Sequence, residues 1–209
     1  MNDSDSNRRP IASRDTGWAR GLAAAVARTP VTPNQISVAS IGFAAVGAAA
    51  LAFWPAWPGL LVCAICVQLR LLCNLIDGMV AVEGGKGSVL GRIYNEFPDR
   101  VTDSLSIVAL GYACGLPWLG WLGALLAVAT AYVRVFGGSL GLAQDFRGPL
   151  AKAQRMAVLT IACLAGIAES FVHPQRYALL AAAIVIAAGS ALTCVARTLA
   201  IVRQLRAQG

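Results

Sequence analysis

The stretch Asn74-Leu75-Ile76-Asp77-Gly78-Met79-Val80-Ala81 runs through a glycine-rich bend, Gly84-Gly85-Lys86-Gly87, into Gly91-Arg92-Ile93-Tyr94-Asn95-Glu96-Phe97-Pro98-Asp99-Arg100-Val101-Thr102-Asp103. Asp77, Glu96, Asp99 and Asp103 fall inside it, in a chain with only 10 acidic residues. The flanking sequence is apolar and has no use for them, so they mark where chemistry is expected. Asn74 and Asp77 are three positions apart, and Gly91, Asn95, Asp99 and Asp103 follow at intervals of four. On helices each set occupies one face. The bend predicts two antiparallel neighbouring helices whose polar faces meet.

The rest of the chain says what surrounds these faces. Hydrophobic residues make up 57% and charged residues 13% of 209 residues, against roughly 45–50% and about 25% in a soluble domain. The reading is an all-α integral membrane protein. Six apolar spans are expected over 35–54, 58–82, 89–113, 117–139, 152–172 and 177–202, each near the ~20 residues that cross a bilayer core. Residues 1–12 are expected to be disordered, 13–30 to form an amphipathic interfacial helix, 31–203 the six-helix domain and 204–209 a cytosolic tail. In the amphipathic segment Trp18, Leu22 and Val26 recur every four residues beside Arg14, Arg20 and Arg28, a pattern suited to the headgroup level. This polar, Arg-rich start is not expected to be a secretory signal.

Charge sets the orientation. Of 17 lysines and arginines, twelve lie in the N-terminal segment, the second-to-third loop, the fourth-to-fifth loop and the tail. Both termini and those loops are therefore expected in the cytosol, with a bacterial cytoplasmic membrane the expected location. The same distribution explains the +7 net charge without nucleic acid, which would need a basic stripe or a reading helix. Asp77 and Asp99 then lie within a few turns of the cytosolic surface. Cys63 and Cys66 have no second pair or histidine cluster to complete a zinc site. His173 is the only histidine and falls in an external loop, which argues against histidine catalysis. Trp54, Trp57, Trp118 and Trp121 read as interface anchors.

Facing oxygen ligands from two helices suit a hard cation, Mg²⁺ or Mn²⁺, that holds a substrate's phosphates. Gly78, Ala81 and Gly91 lack bulk in the same region, which lets a nucleotide approach the backbone. Intramembrane carboxylates are costly and by default functional, although Asp103 is expected to pair with Arg70 at similar depth. Arg134 inside the fourth span, with Arg147, Lys152 and Arg155 after it, is a candidate cationic pocket for a phosphate-bearing acceptor; topology alone also accounts for the loop cations. Arg197 can snorkel to the surface and needs no role. The small residues Gly137-Gly138 and Ala181-Ala182-Ala183 offer surfaces for close helix packing or for a dimer.

These residues resemble the CDP-alcohol phosphotransferase family. Its signature, D-x2-D-G-x2-A-R-x8-G-x3-D-x3-D, corresponds in spacing to Asn74, Asp77, Gly78, Ala81, Val82, Gly91, Asn95 and Asp99, and Thr32-Pro33-Asn34-Gln35-Ile36-Ser37 is similar to the element that opens the family's first span. The resemblance covers the chain from about Thr32 through the sixth span. It implies transfer of a substituted phosphate, commonly phosphatidyl, from a CDP-linked donor such as CDP-diacylglycerol to an alcohol, with release of CMP, and a homodimer. It further implies that Asn74, Asp77, Asn95 and Asp99 surround two divalent cations, that Asp99 is the base for the acceptor hydroxyl, and that Gly78, Ala81 and Gly91 line the nucleotide pocket. The chain departs from the signature at Asn74, Asn95 and Val82. Metal binding that is weak until the donor arrives is the favoured consequence; a single cation, or Glu96 as an added ligand, are the alternatives. A catalytically silent nucleotide- or lipid-binding subunit of the same fold is the rival reading. A transporter is disfavoured because no polar residues continue through the outer halves of the spans.

Overall fold

The computed structural model describes residues 16–82, 85–86, 89–172 and 175–208, with only the backbone of Arg92. The expected disorder of residues 1–12 and the histidine at 173 lie outside the described residues. Seven helices make up the described chain: α1 (Gly17–Ala27), α2 (Pro33–Phe53), α3 (Trp57–Val82), α4 (Gly91–Ala113), α5 (Pro117–Ser139), α6 (Lys152–Ser170) and α7 (Tyr177–Gln208). Four of them, α2, α3, α5 and α7, are long and apolar enough to cross a membrane. The other two long helices, α4 and α6, carry most of the charged residues that build the site.

Local sequence explains where the helices begin and turn. Thr32 precedes α2 as a capping box: its hydroxyl accepts the Gln35 backbone N–H at 3.3 Å, and the Gln35 side chain accepts the Thr32 N–H at 2.9 Å. Pro33 sits at the first helical position, where no N–H is needed. A cap of this kind contributes about 1 kcal/mol, so Thr32→Ala should lower stability in detergent by about that amount, read as a shift in the unfolding midpoint. Between α4 and α5, Gly115 adopts φ 80°, and the Leu116 N–H closes onto Gly111 O at 2.9 Å. A Cβ on Gly111 would stand 2.5 Å from Gly120 Cα, so this hairpin needs glycine on both sides of its crossing.

The six long helices pack as a closed ring in the order α2, α3, α6, α7, α5, α4 and back to α2, with α4 also touching α7 and α1 lying against α3. The core runs through the ring from Leu51, Leu60 and Cys63 to Ile107, Leu110, Leu159, Leu179 and Ile186. Outward-facing Val46, Ile65, Leu125, Ile161 and Leu192 are exposed, as lipid-facing residues would be. α1 buries Ala19 and Ala23 against Leu75, Ile76, Met79 and Val80, and leaves Trp18 and Leu22 exposed.

Three expectations from the sequence change here. First, α3 and α4 are not packed side by side. α2 packs on both, and long polar side chains bridge α3 to α4, Arg70 to Asp103 and Asn74 to Asp99. Second, of the two uses expected for the small residues, helix packing within the chain is the one seen: Gly137 lies against Ile201, and Ala182 and Ala183 are in the core. Third, Lys152 and Arg155 belong to the first turn of α6 rather than to a loop. Trp54, Trp57, Trp118 and Trp121 all lie exposed at the turns of one end of the ring, opposite the end that carries Asp99.

Candidate active site

Glu96, Asp99 and Asp103 project from one face of α4, and each meets a different set of partners. Deepest is Asp103, 1% exposed. Its Oδ1 accepts from Arg70 of α3 at 2.5 Å and its Oδ2 from Arg155 of α6 at 3.0 Å. Arg70 and Arg155 are themselves buried, so this is a closed arginine–aspartate–arginine triad with no route to solvent. One turn nearer the mouth, Asp99 Oδ1 accepts from the Asn74 amide and from the Lys152 ammonium. The Arg100 guanidinium stands 3.8 Å from its other oxygen. A further turn out, both oxygens of Glu96 accept from Arg134 of α5 at 2.7 Å. The pairing of residue 70 with 103 and of 74 with 99 shows that α3 and α4 run antiparallel.

Pro98 lies within α4 and removes one intrahelical donor from the turn that carries Asp99. Asp77, 3% exposed on α3, stands apart from these pairs. Its Oδ2 accepts from the Ser37 hydroxyl of α2 at 2.5 Å. Its Oδ1 is buried with no hydrogen-bond partner among the described residues. An orphaned buried carboxylate oxygen is expensive and calls for an explanation. Asn95 is exposed on α4, and Gly78, Ala81 and Gly91 are half-buried around the mouth.

The donor set fits a hard cation at Asp77, with Asn74 and Asp99 one helical turn or one helix away. Among the described residues no group of three Asp, Glu, Cys or His side chains converges. Glu96 does not complete one, since Arg134 holds both its oxygens. Arg134 also bonds Gln144 at 2.5 Å and stacks over the Phe146 ring at 5.1 Å. Arg147 is largely exposed and paired with Asp145 at 2.8 Å.

The sequence reading missed two positions. Ser37 lies in the helix-opening element, and nothing in its spacing shows that its hydroxyl reaches Asp77. Arg197 does not snorkel. It is 4% exposed and donates to Arg147 O at 2.9 Å and Thr130 O at 2.7 Å. It thereby pins the α5–α6 loop to α7, helped by Thr193, whose hydroxyl accepts the Leu150 N–H at 3.1 Å. Gly148, at φ 135°, allows that approach, since a Cβ there would stand 2.4 Å from Thr193. This docking sets the register at which Lys152 and Arg155 meet α4.

A ring of helices, four of them long and apolar enough to cross a membrane, gathers paired carboxylates, an amide and cations toward one end, an arrangement that suits group transfer in a membrane protein. No family model matches the chain. An archaetidylinositol phosphate synthase of Aeropyrum pernix is 33% identical over 165 residues, 78% of this chain and 79% of that protein. A phosphatidylinositol phosphate synthase of Streptomyces avermitilis is 29% identical over 88% of this chain and 77% of its own length. Among solved structures, the Mycobacterium tuberculosis phosphatidylinositol phosphate synthase with CDP-DAG bound superposes with a TM-score of 0.74 at 20% identity, covering 89% of this chain and 94% of that one. The same enzyme in complex with manganese and citrate gives 0.73 over 88% of each chain. The chain belongs to the CDP-alcohol phosphotransferase family. It is a membrane transferase of phospholipid biosynthesis that moves a substituted phosphate from a CDP-linked donor to an alcohol.

Proposed function

We propose that this chain transfers the phosphatidyl group of CDP-diacylglycerol to an alcohol that itself carries a phosphate, of the inositol phosphate class, and releases CMP. The observation that carries this reading is the buried, unpartnered Oδ1 of Asp77, one helical turn along α3 from Asn74, which together with Lys152 orients the second carboxylate, Asp99. The names of the three curated relatives, all inositol phosphate lipid synthases, favour the acceptor class.

Asn74 and Asp77 would hold Mg²⁺ or Mn²⁺ in this reading, with Asp99 beside them and Asn95 at the outer edge. When bound, the metal neutralises the diphosphate and polarises it toward attack. Gly78, Ala81 and Gly91 leave room for the nucleotide beside α3 and α4. Asp99 takes the proton of the acceptor hydroxyl, and Asn74 keeps its carboxylate oriented. Arg134, Arg147 and Lys152 lie toward the side where an acceptor phosphate would enter, with Arg155 behind them in the closed triad; Arg147, the most exposed of the four, would exchange its Asp145 partner for that phosphate. All six long helices span the bilayer in this arrangement, with α4 and α6 shielding their charges against one another. The mouth faces the cytosol, where CDP and sugar phosphates are dissolved, and the chain forms a homodimer.

Purified protein in detergent, given CDP-diacylglycerol and Mn²⁺, should release CMP with inositol phosphate and much less with unphosphorylated inositol. EDTA should stop it. Equal turnover of the unphosphorylated alcohol would overturn the acceptor assignment, and no CMP with any acceptor would overturn the donor chemistry.

A further inference from the structure

We propose that this chain binds a single divalent cation, at Asp77 and Asn74, and that the ammonium of Lys152 takes the place of a second cation at Asp99. This rests on the reading of the cleft as the transfer site and concerns how that site balances its charge.

The four ligand positions of the family signature are all carboxylates, enough to compensate two divalent ions. Here Asn74 and Asn95 carry no charge, so the four positions supply two negative charges instead of four. The two remaining carboxylates differ in what they already hold. Asp99 Oδ1 is in contact with Lys152 Nζ, with only 14% and 12% of the two side chains exposed, and Arg100 flanks its other oxygen at 3.8 Å. Its negative charge is thus met by fixed cations of the protein. Asp77 has no cation within ion-pair distance among the described residues: one oxygen is bound by a neutral hydroxyl, the other by nothing. The site therefore has one uncompensated buried carboxylate and one compensated one.

A second divalent ion at Asp99 would have to displace Lys152 or sit against it. Displacement would leave a mostly buried ammonium without a partner, because the neighbouring Asp103 is already closed by Arg70 and Arg155. Asn95 does not help, since it is exposed on α4 and brings no charge. Lys152 is held in place by the docking of the α5–α6 loop on α7, which fixes the start of α6. An ammonium is a compact point charge with three donors, so in this position it can hold Asp99 and face a phosphate oxygen, two tasks otherwise performed by a metal.

The test counts metal rather than activity. The full chain in lipid nanodiscs, with CDP present to supply the diphosphate, is titrated with Mn²⁺ and followed by electron paramagnetic resonance. One bound Mn²⁺ per chain with the spectrum of an isolated ion is expected. Asn95→Asp, at an exposed position that leaves the fold intact, should still bind one. Adding Asn74→Asp and Lys152→Met to it should raise the count to two, with the coupled spectrum of ions a few ångströms apart. Two coupled ions in the unmodified chain, two in Asn95→Asp alone, or none with CDP present would overturn the proposal. CMP release is scored separately: a count of two with normal release overturns this proposal and leaves the transferase reading standing, whereas a count of one without release overturns the transferase reading and leaves the count standing.

Discussion

Asp99→Asn is expected to lower CMP release from CDP-diacylglycerol by about 10²–10⁴-fold, the range contributed by a positioned general base. The substitution keeps the shape of the side chain and one acceptor oxygen, so Asn74 and Lys152 retain a partner. What it removes is the ability to take a proton. Binding of CDP should change far less than turnover, because Asp77 and the small residues around the mouth are untouched. The measurement is the initial rate of CMP formation at saturating acceptor, alongside CDP affinity by calorimetry. A variant that retains more than about a tenth of the original rate would remove Asp99 from the role of base.

The second large effect concerns stability. Asp103→Leu should destabilise the fold by about 3–5 kcal/mol, the usual result of stripping the partner from buried charges. Here it would strand two buried guanidinium groups at once, those of Arg70 and Arg155. Arg70→Met should cost less, since Asp103 keeps Arg155. Replacing Arg70, Asp103 and Arg155 together by apolar residues of similar size should bring stability back toward the original, because no charge is then left unpaired. Unfolding midpoints in detergent for the single and triple replacements check the order. If Asp103→Leu is no less stable than the unmodified chain, the triad does not hold the helices.

How much of this could be read from the chain follows from the range of each signal. Helix positions and the faces they present depend on neighbours three and four residues apart, so the long helices and the Asn74–Asp103 faces were legible. Pairings across the ring were not: Ser37 with Asp77, Lys152 with Asp99 and Arg197 with Thr130 join residues 40, 53 and 67 positions apart. Such pairings depend on the rotation and depth of whole helices. Arg197 shows the consequence, since an arginine near a helix end reads as a surface residue until the carbonyls of another loop are placed against it. The gap between α3 and α4 was also hidden, because a short bend suggests neighbours and only the ring order puts α2 between them.

The triad also bears on the order in which the chain is made. When α4 leaves the ribosome, Arg70 already exists but Arg155 lies more than fifty residues ahead, and a charged residue at the centre of a membrane helix costs about 2.5–3.5 kcal/mol to insert. α4 also carries Glu96, Asp99 and Arg100, so it is a poor candidate for insertion on its own. It can settle only as a partner of helices before and after it. The half-built protein is therefore expected to keep α4 at the interface until α6 supplies Arg155, and a chain truncated before Arg155 is expected to stop there, which glycosylation mapping of the α4–α5 turn would read.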